Sequence, residues 1–118
     1  MKNKMHSKQT IIPGFNYKFP SKLEAKRYEQ LVLLERAGEI RNLKLQPEYV
    51  LSSGYVDANT GEKMRQVIYI GDFEYIENDR LVLEEIKGFE TDMFRMKWRL
   101  VKEKYPHVEF RMLKQGDF

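Results

Sequence analysis

The stretch from Gly71 to Gly88, GDFEYIENDRLVLEEIKG, holds the residues best suited to chemistry. Asp72, Glu85 and Lys87 stand in it as D-x12-E-x-K. The flanking residues read as two strands, Val67–Ile76 and Leu81–Lys87, folded back at the polar turn Glu77-Asn78-Asp79-Arg80. A turn centred between Asn78 and Asp79 sets Asp72 directly opposite Glu85. Opposed residues of an antiparallel pair share a face with Cβ atoms about 5 Å apart, and like charges placed so are destabilising. A cation between the carboxylates removes that penalty. Lys87 projects from the same face, because strand side chains alternate with period two. Two carboxylates and a lysine on one patch of sheet point to a metal-dependent phosphodiesterase site. Glu84 is the neighbouring acid but falls on the other face. Glu74 shares the face of Asp72, one pair nearer the turn.

Other elements must hold this hairpin in place. A helix is expected from Ser21 to Ala37, opened by the Ser21–Glu24 capping box and closed by Gly38 at C′. Leu23, Tyr28, Leu31, Val32 and Leu34 form its apolar stripe. Glu24 lies on the face of Tyr28 and Leu31. It reads either as the cap alone or as a carboxylate reaching toward the metal site. From Ile40 to Leu51 alternation returns, with Leu43, Leu45, Tyr49 and Leu51 on one face and Lys44, Gln46 and Glu48 on the other. Pro47 cannot donate to a ladder, so this strand is expected at an edge or bulged there. Gln46 is a candidate contact to nucleic acid or an ordinary solvated edge residue. The turn-rich Ser52 to Lys63 leads, as a long hairpin, into a central strand from Arg65 to Ile76. That strand is apolar on both faces, which calls for helices on both sides of the sheet. Asp72 in its middle is then a carboxylate in a buried row, which needs a partner.

A second helix is expected from Thr91, as N-cap, to Tyr105 before Pro106, with Phe94, Trp98, Val101 and Tyr105 as its core stripe. Arg95, Arg99 and Lys102 form a basic ridge on its outer side, read as a phosphate-binding surface or a solvated face. Lys97 falls inside the apolar sector, where it snorkels or points to a substrate phosphate. A strand from Val108 to Leu113 ends the series. Residues 1–20 read as a basic arm carrying Lys2, Lys4 and Lys8 and broken at Pro13-Gly14, and residues 21–118 as one domain. The 118 residues, 42% hydrophobic and 13% aromatic, suffice for one core and not for two. Absence of cysteine fits a reducing, cytoplasmic setting. No apolar run approaches a membrane span, and no hydrophobic stretch follows the basic start as a secretory signal requires. The net charge of +3 is compatible with a polyanionic partner.

The expected fold is α/β with a mixed sheet, in the order helix, three antiparallel strands, helix, strand. With that order, Asp72, Glu85 and Lys87 behind a glutamate-bearing helix resemble the PD-(D/E)XK nuclease superfamily. The runs FPSKLEAKRYEQLVLLERAGEIRNLKLQPEYVL, YIGDFEYI and LEEIKGF, with a helix ending KEKYP, are similar to a small phage and prophage family described as a domain of unknown function. The likeness extends from Phe19 to Phe110, with Gly71 in place of the proline that names the motif. It implies a restriction-endonuclease-like core and DNA endonuclease activity in a bacterial host cell. Asp72 and Glu85 would hold Mg²⁺ or Mn²⁺, and Glu24 would add a ligand directly or through water. Lys87 would position or deprotonate the attacking water. Two further readings are a branched-DNA (Holliday-junction) resolvase, which would act as a two-fold homodimer, and an inactive DNA-binding module with the same core.

Overall fold

The computed structural model describes residues 10–11, 18–88 and 90–118. The first helix forms where its capping signals lie. The Glu24 N–H donates to Ser21 Oγ at 3.2 Å, the Ser21 hydroxyl donates to Glu24 Oε2 at 3.1 Å, and α1 runs over Lys22–Arg36. It closes on Gly38, whose φ of 79° suits glycine. There the Glu39 N–H reaches Leu34 O and the Gly38 N–H reaches Glu35 O, a Schellman ending. A short ladder precedes it, with β1 (Thr10–Ile11) antiparallel to β2 (Lys18–Phe19).

Five strands make the body of the fold. They are β3 (Arg41–Leu45), β4 (Glu48–Ser52), β7 (Val67–Ile70), β8 (Phe73–Glu77) and β9 (Arg80–Ile86). A projecting hairpin, β5 (Tyr55–Val56) with β6 (Lys63–Met64), joins β4 to β7. The β8–β9 turn is the tight one foreseen: Asn78 and Asp79 both have positive φ, 50° and 61°, as a two-residue hairpin loop requires. After α2 (Asp92–Lys104), β10 (Glu109–Leu113) lies parallel to β9. The sheet order is β10-β9-β8-β3, a mixed sheet in an α+β protein.

Two expectations are corrected. The strands foreseen over Ile40–Leu51 and Arg65–Ile76 are each interrupted, the first at Gln46-Pro47 and the second at Gly71-Asp72. The interruptions face one another. The Gln46 N–H donates to Asp72 O and the Gly71 N–H to Pro47 O, both at 3.0 Å, so the two-stranded ribbon bends as a unit. Pro47 supplies no donor here, and the ladder is carried by its neighbours' amides. Asp72 therefore stands at the bend and not mid-strand. Gly71 permits this geometry: a Cβ there would lie 2.5 Å from Leu83 Cδ1 and 3.0 Å from Cγ, and Leu83 is fully buried. Packing also reaches back beyond the start of α1. Phe19 and Pro20 are buried, Phe19 within the core, so packing begins before residue 21. Lys2, Lys4, Lys8 and Pro13-Gly14 lie outside the described residues.

Each sheet face has its own core. Phe73, Tyr75, Val82 and Ile86 pack with Phe19 and with Ala25 and Leu31 of α1. Leu83, of opposite parity on β9, packs with Tyr49, Tyr69, Val108 and Val101 of α2, alongside Phe94, Trp98 and Tyr105. The helices thus cover opposite faces, as the two-sided apolar strand required. Among the described residues no helix is long and apolar enough to cross a membrane.

Candidate functional site

The β8–β9 register runs Phe73↔Glu84, Tyr75↔Val82, Glu77↔Arg80, and its continuation sets Asp72 against Glu85. Both carboxylates are buried, at 2% and 3% exposure. Asp72 is fixed at both ends: its N–H donates to Glu84 O at 3.1 Å, and its Oδ2 accepts the Ile86 N–H at 2.6 Å. Glu85 Oε1 accepts the Tyr69 hydroxyl. Burial first, then the adjacent Glu85 and Asp72 charges, pushes the Tyr69 phenol far above its ordinary range. It is therefore a permanent donor to Glu85. The Tyr69 ring meets Trp98 of α2 edge-on at 6.0 Å. The helix thus braces the acid through two aromatic rings.

Lys87 follows β9 directly, its N–H bonded to Leu113 O at 2.6 Å and its side chain exposed. Alternation gives it the face of Glu85. Glu74, on the same face, accepts from Tyr49 Oη at 2.5 Å and lies 3.7 Å from Lys44 Nζ. Glu84 points the other way. Arg27 of α1 grips it through Nε (2.8 Å) and Nη2 (2.6 Å), and the Tyr75 hydroxyl donates to it as well. That bidentate pair anchors α1 to the sheet.

Glu24 is buried at the first turn of α1 in its capping box with Ser21. Among the described residues no three His, Cys, Asp or Glu side chains form a group able to hold a metal ion, so Glu24 is not gathered with Asp72 and Glu85 into such a group. The remaining pair still suits a hard cation. Mg²⁺ is commonly held by one or two carboxylates, with waters and substrate phosphate oxygens filling its octahedron. Asp72 and Glu85 are oxygen donors of that kind, opposed across one ladder.

Of the basic residues, Arg95, Arg99 and Lys102 are exposed on α2 and Lys97 is half-buried. Arg95 is engaged with Asp92 at 2.8 Å, and Lys102 Nζ lies 5.6 Å from the Trp98 ring centre. Gln46 occupies the bend opposite Asp72. Its φ of 48° places a non-glycine residue in the left-handed region, at a cost of about 1–2 kcal/mol.

The tyrosines behind the acids escaped the sequence reading, which counted Tyr49 and Tyr69 as core only. A signal was present: a tyrosine in a strand buried on both sides must find an acceptor for its hydroxyl, and the nearby acids were the available ones.

Residues 2–116 match the model of a family described as Protein of unknown function (DUF1064). The chain belongs to that family. The match spans both helices, the bent ribbon and all of Asp72, Glu85 and Lys87, so the site of this DUF1064 chain lies wholly inside the family unit. No curated protein matches it.

Proposed function

We propose that this DUF1064 chain is a metal-dependent endodeoxyribonuclease of the PD-(D/E)XK type, cutting phosphodiester bonds of DNA in a bacterial cytoplasm. The observation that carries the reading is the row formed by Asp72 opposite Glu85, with Lys87 next on the same face. Placing two buried carboxylates across one ladder opposes folding, and a divalent cation binding there relieves the repulsion.

Asp72 and Glu85 would hold Mg²⁺ or Mn²⁺. When bound, the ion polarises the scissile phosphate and brings the pKa of a coordinated water toward neutrality. The protein's own part is positioning. The Ile86 amide orients Asp72 through Oδ2, and Tyr69 orients Glu85 through Oε1. Lys87, on a solvent-facing chain, can position the attacking water or offset charge as it builds on the phosphate oxygens. Glu24 acts here as the cap that seats α1. Arg99 and Lys102 offer backbone contacts that bind without reading sequence.

The test is cleavage of supercoiled plasmid and of a synthetic four-way junction in Mg²⁺, Mn²⁺ or EDTA, with Asp72→Asn and Lys87→Ala alongside. Metal-dependent cutting lost in both variants supports the reading. Preference for the junction would make it a resolvase. DNA binding by all three proteins with no cutting in either metal would leave a binding module only.

A further inference from the structure

Two features set Gln46 apart. Its Nε2 is buried with no hydrogen-bond partner among the described residues, and its backbone holds φ of 48° directly before Pro47. Left-handed backbone is uncommon for any non-glycine residue, and a following proline further restricts its predecessor toward extended conformations. Strain of this kind persists only where surrounding contacts over-determine it, and it clusters at functional positions. A side-chain amide carries two donors, and folded chains rarely bury a donor without an acceptor.

The position of Gln46 gives these features a direction. The register pairing Lys44 with Glu74 and Leu45 with Phe73 continues to set Gln46 against Asp72, whose carbonyl accepts the Gln46 N–H at 3.0 Å. Asp72 in turn stands against Glu85. One row across neighbouring strands therefore reads amide, acid, acid. Two residues before Gln46, Lys44 lies 3.7 Å from Glu74 on the side the two acids share.

We propose that Gln46 is a substrate-binding residue whose side-chain amide donates to a non-bridging phosphate oxygen of a nucleic-acid backbone. The contact forms only when the substrate arrives. This inference rests on the nuclease reading and names the chemical group its site recognises. An amide fits the position better than a cation. A lysine there would pair with Asp72 and compete with a metal for that carboxylate, whereas a neutral donor serves the phosphate without neutralising the acids. The contact is independent of base identity, so it positions the strand and does not select a sequence.

The experiment is a titration of the isotope-labelled full chain with a short DNA duplex in Ca²⁺, following the Gln46 side-chain amide resonances by NMR. Gln46→Glu, which lacks them, identifies the signals. The Gln46 amide protons are expected to shift downfield with the natural duplex and to stay in place with a methylphosphonate duplex. In parallel, Gln46→Ala should lower kcat/KM about tenfold without lowering the denaturation midpoint, and Gln46→Glu should lower kcat/KM further. A duplex that shifts the backbone signals of Asp72 and Lys87 while sparing the Gln46 amide overturns this inference and leaves the nuclease reading standing. A duplex that shifts nothing, with no cutting by the wild type, overturns both.

Discussion

The Tyr69 hydroxyl donates to the buried carboxylate of Glu85, and its ring rests edge-on against Trp98 of the second helix. One side chain thus links a helix on the outside of the sheet to an acid within it.

Tyr69→Phe keeps the ring and removes the donor. Stability should fall by about 1–3 kcal/mol, since a buried acceptor loses a partner. Trp98 is the single tryptophan, so its emission reports the ring contact directly. It is expected to remain as in the parent protein while the denaturant midpoint drops. An unchanged midpoint would mean that the hydroxyl does not support Glu85.

Alkaline pH should unfold the protein through its buried phenols. Tyr69, Tyr49 and Tyr75 all have pKa values raised above 10.0, in each case chiefly by burial, with help from Glu85, Glu74 and Glu84 respectively. The unfolded chain releases these protons near 10.0 and the folded chain does not. Their contribution is therefore complete below 10.0 and declines as pH rises above it. Urea denaturation across neutral to strongly alkaline pH should show a plateau and then a fall. Replacing Tyr49 and Tyr75 with Phe should make that fall shallower.

Arg27 and Glu84 should be separable from the candidate chemistry. Glu84→Ala leaves the guanidinium, with a side chain only 13% exposed, without its counter-charge. A loss of about 3–5 kcal/mol is expected for breaking a buried pair of this kind. Replacing both partners with apolar residues, Arg27→Met with Glu84→Leu, should recover much of that stability. Thermal denaturation of the single and double variants decides; equal losses in both would show that the charges themselves are required.

Gly71→Ala should cost about 1–3 kcal/mol, because the new methyl meets Leu83 in a filled core. Leu83→Val in the same chain should return part of the loss by drawing the branch away. Additive losses would show that the close approach is not the reason for glycine.

The sequence made the hairpin register and both helix starts readable, because each depends on neighbours in the chain. Asn78-Asp79 fixed which residue opposes which, and Ser21 and Thr91 accept from the amides three positions on. The bend was not readable in the same way. Pro47 announced an irregularity in one strand, but Gly71 answers to Leu83 on a neighbouring strand. Alternation carried through Val67–Ile76 without a visible break. The tyrosine braces of the acids were hidden for a similar reason. Tyr69 on β7 and Glu85 on β9 meet although those two strands do not pair with each other, and an apolar count records a tyrosine as core whichever way its hydroxyl points.

The ribbon keeps one register on both sides of its bend: Leu45 pairs with Phe73 before it, and Glu48 with Ile70 beyond it. This restricts where related chains can differ in length. One residue added within 73–77 or 80–85 would slide Asp72 past Glu85 and turn one of them to the opposite face. One added between Lys44 and Gln46 would carry Gln46 away from Asp72. The hairpin from Tyr55 to Met64 is largely exposed and turns through Asp57 and Gly61. Insertions and deletions there would leave the row of acids in place, so length variation among functional relatives belongs at that tip.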